Sequence, residues 1–456
     1  MRGSTTSTDD GPQRGPIPAA AKRAATAGFV GTFIEYYDFA LYGVLTVYFA
    51  PLFFPSGNHA VSFLVGLTVF GAGFIARPLG GILFGRIGDR SGRRTALMAT
   101  VVVMGVCAAL IGVLPSYDAI GLLAPAILVI LRIGQGLSAG AEMLGSVTFA
   151  LESAPEARRG LLSSLTPFGA GLGGSSGAVL AAVLALSASE QFMSDYGWRI
   201  PFLVAAPLTL VAFVIRRRVE DSPEFAEMVK NREILKSPLR ETLTKYWRPV
   251  LLAGGVAIGV NGSAGVAQWF AVFLAGNREL AVGMVMITYA TSMVLGALWH
   301  PLSGWVTDRI GQERWLATLL GAFIVVSGPI FWLLSVTENP VLLVVAMGAY
   351  LILTNLVMAP GFGYIAELFP RRIRYTASNF GQNIGTVLGG GLAPLVCGAL
   401  LLATGSVAGP VMWIVGVSVV GLAALAVARW YPDVENYEAD RPETVRVESP
   451  TPEARR

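Results

Sequence analysis

The chain has 456 residues, of which 54% are hydrophobic and 14% are charged, and its formal net charge is +4. Soluble domains usually carry about 25% charged residues, so this composition excludes an ordinary soluble protein, and the small net charge gives no sign of nucleic-acid binding. Cys107 and Cys397 each lie within an apolar run, so neither a disulfide framework nor a metal site is indicated. Long uncharged runs instead predict many membrane helices of about 20 residues each.

Twelve hydrophobic runs divide the sequence, and each is long enough to cross a membrane as a helix. They cover residues 27–54, 61–84, 95–114, 120–149, 161–187, 199–216, 249–275, 283–305, 315–336, 340–365, 375–402 and 408–430. Residues 1–26 are rich in Ser, Thr, Pro and Gly and have no apolar core, so they predict a disordered cytoplasmic tail and not a signal peptide. Residues 431–456 form the second predicted tail.

Basic residues concentrate in every second link between the spans. Lys22 and Arg23 precede the first span, link 55–60 has no lysine or arginine, and link 85–94 has four arginines. The alternation continues to the last span, with Arg278 as the sole basic residue in its link. Because cytoplasmic links carry the excess of lysine and arginine, both termini are predicted to lie in the cytoplasm.

The link 217–248 mixes acidic and basic residues, and it is the natural boundary between two halves of six spans. We expect it to be partly helical on the membrane surface. The predicted domains are therefore an N-terminal half, residues 27–216, and a C-terminal half, residues 249–430. All of these features predict an all-α membrane protein.

Two motifs repeat across that boundary in the same order. The link 85–94 reads GRIGDRSGRR, and a weaker copy at 304–313 reads GWVTDRIGQE. The pattern Glu-x-x-Pro-x-x-x-Arg occurs from Glu152 to Arg159 and again from Glu367 to Arg374. Two motifs that recur together indicate that the chain was built by duplication of a six-span unit.

These residues resemble those of the major facilitator superfamily. Residues 85–94 resemble its signature loop between the second and third helices, and residues 132–136 resemble its fourth-helix motif. Segments 35–43, 74–81, 140–142 and 197–202 are similar to the metabolite:H⁺ symporter branch, which includes shikimate, α-ketoglutarate, citrate and proline/betaine carriers. The resemblance implies the twelve-helix fold in two six-helix halves, alternating access, and a proton as coupling ion with no other cofactor.

Charged side chains at membrane depth are costly and usually face a cavity or a partner. Spans one, two and four hold Glu35, Asp38, Arg77, Arg132 and Glu142. Glu35 and Asp38 share one face of the first helix with Tyr42. The helical rise places Glu35, Asp38, Arg77 and Glu142 about 12–16 Å from the cytoplasmic end, at the depth where alternating-access carriers bind their substrates.

On the fourth helix, Arg132, Gln135 and Glu142 lie within an arc of about 80°. An arginine there can hold a carboxylate through two hydrogen bonds, and a carboxylate near the midplane can load and release a proton because burial penalises its charge. The resemblance implies that division, with first-helix acids for the proton and arginine for the substrate. We predict proton coupling by Asp38, Glu35 and Glu142. The alternative is that these groups pair internally and only hold helices together.

Uncharged amides dominate the spans of the C-terminal half, where no acid lies deep. The predicted substrate-binding residues of both halves are Arg132, Gln135, Arg77, Tyr42, Asn261, Gln268, Asn355, Gln382 and Asn383. Gln382 and Asn383 belong to a polar stripe on helix eleven. Each amide alone is as consistent with helix packing as with substrate contact.

The repeated motifs predict a gate at the cytoplasmic ends of the helices. Asp89 can accept backbone N–H groups at a neighbouring helix N-terminus, Arg93 or Arg94 can pair with Glu152, and Arg159 can pair back towards Asp89. The resemblance implies this gating role. The predicted gate residues are Gly85, Asp89, Gly92, Arg93, Arg94, Glu152, Arg159, Asp308, Glu367 and Arg374. The alternative is that residues 85–94 only set topology and a turn.

The sequence therefore predicts a proton-coupled importer of a small carboxylate-bearing metabolite, and not an enzyme. We expect it to lie in the plasma membrane, to function as a monomer and to need neither a metal nor a nucleic acid. Drug/proton antiport and energy-independent facilitation on the same fold remain alternatives, although the Gly-Pro-x-x-Gly-Gly pattern of such antiporters is absent from the fifth span. A non-transporting receptor would need a substantial signalling domain, and the short, acidic tail 431–456 gives that interpretation little support.

Overall fold

Twelve long helices account for most of the structure. The computed structural model describes residues 16–277, 282–337 and 339–430, and within those ranges every regular element is a helix. The long helices are α1 Ala19–Phe53, α2 His59–Ser91, α3 Arg93–Val113, α4 Leu123–Ser153, α5 Arg159–Ser187, α6 Arg199–Arg217, α7 Trp247–Asn277, α8 Val282–Ala297 with His300–Ile310, α9 Gln312–Val336, α10 Pro340–Glu367, α11 Arg374–Gly385 with Ala393–Thr404, and α12 Ala408–Ala428. Residues 1–15 and 431–456 of the predicted tails lie outside the described part of the chain. Residues 19–26, which were also predicted to be disordered tail, belong to α1 because their apolar and alanine-rich sequence continues the helix.

Short elements connect the long helices. They are Tyr117–Ile120, Glu156–Arg158, Glu190–Phe192, Met193–Gly197, Pro223–Lys230, Pro238–Lys245 and Thr386–Gly391. Pro223–Lys230 and Pro238–Lys245 confirm that the segment between α6 and α7 is partly helical. In Pro223–Lys230, Ser222 is the N-cap and accepts a hydrogen bond from the backbone N–H of Phe225.

Ten of the described helices are long and apolar enough to cross a membrane. The other two long helices, α1 and α8, do not meet this criterion of length and hydropathy. Helix α1 carries Glu35 and Asp38 in its middle, and α8 is interrupted at residues 298–299, so neither of its pieces is long enough alone. The pattern confirms the predicted all-α membrane protein with twelve helices.

The charged link 85–94 is much shorter than its sequence suggests. Helix α2 continues through it to Ser91, and α3 begins at Arg93. Gly92 alone connects them, with a φ angle of 102° that a residue with a side chain rarely adopts. The predicted end of the second span at residue 84 was therefore too early, because an apolar pattern marks the part of a helix that lies in the bilayer and not the end of the helix.

The copy of this link has the same geometry. The second piece of α8 ends at Ile310, α9 begins at Gln312, and Gly311 between them has a φ angle of 90°. We call the end of the helical bundle that carries Gly92 and Gly311 the gate end.

Two spans that were predicted to be continuous are interrupted. In α8 the helix restarts at His300, with Pro301 in its first turn, where the missing N–H of proline costs no helical hydrogen bond. In α11 a wider turn occupies Thr386–Gly391, which contains three consecutive glycines and packs against α7. Proline and glycine are the residues that disfavour an unbroken helix at these positions.

The two halves are packed together at the gate end. Helix α2 lies against α11, and α5 lies against α8. A methyl group added at Gly85 of α2 would lie 2.8 Å from the Cα atom of Thr376, so these two backbones approach closely. The largest buried apolar cluster contains Leu144 and Leu151 of α4 together with many residues of the C-terminal half. The two halves are therefore in direct contact at the gate end of this structure.

Candidate functional site

Asp38 and Arg132 lie at the centre of a fully buried polar cluster in the N-terminal half. The side chain of Gln135 links them: its Nε2 atom donates to Asp38 Oδ2 at 2.6 Å, and its Oε1 atom accepts from Arg132 Nη1 at 2.7 Å. Arg132 Nη1 also lies 3.5 Å from Asp38 Oδ2. The structure therefore brings together three residues that the sequence assigned to proton coupling and substrate binding.

Aromatic rings surround the Arg132 guanidinium. Its central carbon lies 4.0 Å from the ring centroid of Tyr42 and 5.1 Å from those of Phe39 and Phe70. Such contacts stabilise a cation away from water. None of the described residues hydrogen-bonds to Nε or Nη2 of Arg132 or to Oδ1 of Asp38. One edge of the guanidinium therefore keeps its hydrogen-bonding capacity.

Glu35 and Arg77 form a second buried pair beside the first. Arg77 Nη2 donates to Glu35 Oε1 at 3.2 Å, and the arginine lies over the rings of Phe39 and Phe74 at 4.6 and 4.7 Å. Phe39 contacts both Arg77 and Arg132, so the two ion pairs share an aromatic wall.

Glu142 forms a third pair, with Arg216, a residue to which the sequence assigned no role. The two side chains are in direct contact and almost fully buried. Glu142 also accepts a hydrogen bond from Thr100 at 2.6 Å and one from Ser146 at 3.2 Å. Arg216 donates further to the backbone carbonyls of Ala27 and Leu97, so it joins α1, α3, α4 and α6. Each predicted deep acid thus has an arginine partner.

Arg216 was missed because it is followed by Arg217 and Arg218. Three consecutive arginines at the end of a span look like a topological signal. One signal could have identified it: Arg216 is the residue of that run nearest the apolar span, and Glu142 otherwise has no counter-charge.

A small cavity lies between the Glu35 and Glu142 pairs. Its lining residues are Gly31, Ile34, Glu35, Thr100, Val101, Met104, Ser138 and Glu142. A Cβ atom at position 31 would collide with the ends of the Glu142 and Arg216 side chains, so a larger residue there would displace this pair. Glu35 and Glu142 both line this cavity.

The amides of the C-terminal half bind mainly to helix backbones and to each other. Gln382 Nε2 lies 3.4 Å from Asn261 Oδ1, and Asn355 Nδ2 donates to the carbonyl of Leu351 in its own helix at 2.6 Å. Asn383 differs, because its Nδ2 atom donates across the two halves to the carbonyl of Gly140 at 2.6 Å. The side chain of Gln268 lies outside the described part of the chain.

The gate residues form a network around Arg93, which is completely buried. Its Nη1 atom lies 2.9 Å from Asp89, and its Nε and Nη2 atoms each donate to Glu152 at 3.1 Å. Arg94 instead donates to the carbonyls of Arg216 and Arg217. Of the two predicted partners for Glu152, the structure therefore selects Arg93, in a bidentate geometry.

Asp89 and Asp308 each bind the N-terminus of a helix in the opposite half. Asp89 accepts the N–H groups of Tyr375 and Thr376 in α11 at 3.2 and 2.8 Å. Asp308 accepts those of Gly160 and Leu161 in α5 at 2.6 and 2.9 Å. A carboxylate is favoured at this helix end by the free N–H groups and the helix dipole.

Arg159 has partners other than the one expected. It does not pair back towards Asp89; it lies 3.5 Å from Glu224 and 3.9 Å from Glu367. Arg374 lies 3.5 Å from Glu152 and 2.7 Å from Glu224. Glu224 belongs to the segment between α6 and α7, which the sequence did not include in the gate.

The chain belongs to the Major Facilitator Superfamily, whose family model matches residues 28–381. Three similar proteins come from Escherichia coli (strain K12): the inner membrane metabolite transport protein YhjE, the proline/betaine transporter and the shikimate transporter. Their identities to this chain are 31%, 31% and 32%, over 87%, 88% and 84% of this chain and 91%, 82% and 88% of their own lengths. These relatives confirm the predicted superfamily and its metabolite-transporter branch.

The fold also matches a solved structure of the proton:xylose symporter XylE bound to 6-bromo-6-deoxy-D-glucose. The TM-score is 0.72 at 16% identity, and the match covers 92% of this chain and 99% of that one. The protein is therefore a multi-pass membrane transporter and not an enzyme.

Proposed function

We propose that this transporter takes up a small carboxylate-bearing metabolite together with a proton. The observation that carries the proposal is the shared contact of Asp38 and Gln135 with Arg132, in a fully buried cluster. The names of the relatives support the substrate class, since proline, betaines and shikimate all carry a carboxylate.

The coupling between substrate and proton follows because the substrate carboxylate and Asp38 compete for Arg132. A substrate carboxylate that binds Arg132 through two hydrogen bonds takes over the charge that neutralises Asp38. A buried carboxylate without a counter-charge is strongly disfavoured, so Asp38 then takes up a proton. In this scheme the substrate and the proton bind together, and Glu35 with Arg77 provides a second pair of the same kind.

The C-terminal half would contribute hydrogen bonds and not charge. Our proposed substrate contacts there are the side chains of Asn261, Asn355, Gln382, Asn383 and Gln268, the last of which is undescribed. We further propose that residues 27–216 and 249–430 rock as two bodies about the segment 217–248. The gate end and both termini would face the cytoplasm. The protein would lie in the plasma membrane as a monomer, and the proton would be its sole coupling ion.

The test uses purified protein in proteoliposomes. A thermal-shift screen with shikimate, proline and glycine betaine selects the ligand, and uptake of that labelled ligand is then driven by an acidic exterior. We expect Asp38→Asn to abolish accumulation, because an amide cannot carry the proton. Asp118→Asn, which changes an exposed aspartate at the opposite end of the bundle from the gate, is the matched control and should accumulate normally.

Two results would contradict the proposal. Accumulation by Asp38→Asn that still follows the pH gradient would remove Asp38 from proton coupling. Uptake by the unmodified protein that only equilibrates the ligand, whatever the gradient, would instead identify a facilitator.

A further inference from the structure

The segment between α6 and α7 lies across the gate and contacts both halves. Its short helix Pro223–Lys230 buries Phe225 and Met228 against the protein. The ring of Phe225 lies 5.5 Å from the guanidinium carbon of Arg93, the central residue of the gate. The segment is thus part of the closed gate and more than a tether between two bodies.

Its first residues are fixed to the N-terminal half. Asp221 Oδ1 accepts the backbone N–H groups of Arg93 and Arg94 at 3.0 and 3.4 Å, at the start of α3. The hydroxyl of Ser222 donates to Glu152 at 2.6 Å. These contacts connect residues of one half, so they are unaffected when the two halves separate.

Glu224 makes the contacts that cross between the halves. Its carboxylate lies 3.5 Å from Arg159 of the N-terminal half, and 3.2 and 2.7 Å from Arg371 and Arg374 of the C-terminal half. Its side chain is only 11% exposed, so solvent screens these pairs less than it would on an open surface. Among the described residues of this segment, Glu224 is the carboxylate that contacts arginines of both halves.

We propose that Glu224 is a latch that holds the gate closed. Because Asp221 and Ser222 keep the segment on the N-terminal half, opening of the gate must pull Arg371 and Arg374 away from Glu224. The length and position of this segment therefore set the balance between closed and open gate, in addition to the contacts of Asp89 and Arg93. Glu224 acts through these arginines, as a positioning residue that does not touch the substrate.

The test measures the distance between the halves by double electron–electron resonance in nanodiscs, at fixed pH and without substrate. Spin labels go on Arg90→Cys and Arg314→Cys, which are exposed residues near the gate end of α2 and α9, in a background with Cys107→Ala and Cys397→Ala. We expect Glu224→Gln to raise the ratio of open to closed populations on the order of tenfold, the effect of losing one charge-assisted hydrogen-bond set.

Glu220→Gln is the matched control, since it removes the same charge from an exposed position in the same segment and should leave the distribution unchanged. Glu224→Asp, which shortens the side chain but keeps its charge, should give an intermediate ratio and serves if Glu224→Gln does not fold. An unchanged distribution in both Glu224 variants, or an equal change in the control, overturns the latch. Because no substrate is present, failure here leaves the proposed transport function intact.

Discussion

Glu142 is held by three polar side chains from three helices, and this environment decides what its carboxylate does. Arg216 supplies the counter-charge, while Thr100 and Ser146 donate to the carboxylate oxygens. A carboxylate saturated in this way is a poor proton carrier as long as Arg216 stays. The geometry therefore favours a structural role for Glu142, although the sequence assigned it to proton coupling.

Removal of one partner should destabilise the protein strongly. Glu142→Gln leaves the Arg216 charge buried without a partner, which costs about 3–5 kcal/mol in comparable pairs. We expect a lower apparent melting temperature for Glu142→Gln, and partial recovery in the double variant Glu142→Leu with Arg216→Met. Thermal unfolding of Glu142→Leu, Arg216→Met and the double variant in detergent gives the coupling energy of the pair.

A different outcome would restore the proton-coupling role. If Glu142→Gln is as stable as the unmodified protein but no longer couples uptake to the pH gradient, Glu142 carries a proton and Arg216 does not fix its charge.

At this scale, the sequence identified most of the charged residues but not their partners. Asp38, Arg132 and Gln135 were predicted from helical spacing, and the structure places them in contact. The partner of Glu142 was not predicted, because Arg216 lies on another helix and pairing between helices depends on their packing. The same reason explains why Arg159 contacts Glu224 and not Asp89.

At the scale of the element, the start of α3 depends on a residue from outside its own helix. Asp221 accepts the N–H groups of Arg93 and Arg94, which have no carbonyl partner within α3. Burial raises the pKa of Asp221, and its hydrogen bonds only partly offset that effect. The charged form of Asp221 is therefore less favourable in the folded protein than in the unfolded chain.

The sign of the pH dependence follows from that shift. Because the pKa of Asp221 is raised in the folded state, protonated Asp221 stabilises the folded protein at low pH. This contribution to the free energy of unfolding is lost as the pH rises through the folded-state pKa. Asp221→Asn keeps an acceptor oxygen and removes the charge. We expect the melting temperature of the unmodified protein to fall by a few degrees relative to Asp221→Asn between pH 4 and pH 7, as measured in matched thermal-unfolding series.

Ser222→Ala, tested in the same series, is the control, because it removes a neighbouring hydrogen bond without changing a charge at that position. A constant difference between Asp221→Asn and the unmodified protein across the pH range would refute the assignment.

Helix boundaries were the least predictable part of each element. Hydropathy located all twelve long helices, but it ended α2 at residue 84 whereas the helix extends to Ser91. Charged residues can continue the helix beyond the membrane, because water solvates their side chains and ion pairs neutralise them. The interruption of α8 at residues 298–299 was not predicted either, although His300-Pro301 was a visible signal for it.

At the scale of the whole molecule, the two halves carry related contacts between an aspartate and a helix N-terminus, which we call locks. Asp89 holds the start of α11, and Asp308 holds the start of α5. Arg93 follows the first glycine turn and binds both Asp89 and Glu152, whereas Gln312 follows the second. The first lock therefore has an arginine–carboxylate pair directly after its glycine turn, and the second has glutamine at that position.

We expect Asp89→Asn to open the gate more than Asp308→Asn does. The first substitution breaks the Asp89–Arg93 pair as well as weakening the helix cap, and the second changes a helix cap without an arginine at the position that corresponds to Arg93. The spin-labelled protein described above measures both variants under the same conditions. Equal opening in the two, or greater opening with Asp308→Asn, would show that the arginine adds nothing to the lock.

The single-residue turn at Gly92 has a mechanical consequence. Only one residue separates α2 from α3, so we expect a rotation of either helix to move the other. At the far end of α3, Arg199 of α6 donates to the carbonyls of Gly112 and Leu114 at 3.1 and 2.8 Å. We therefore expect motion at the gate end to reach the opposite end of the bundle through α2, α3 and α6.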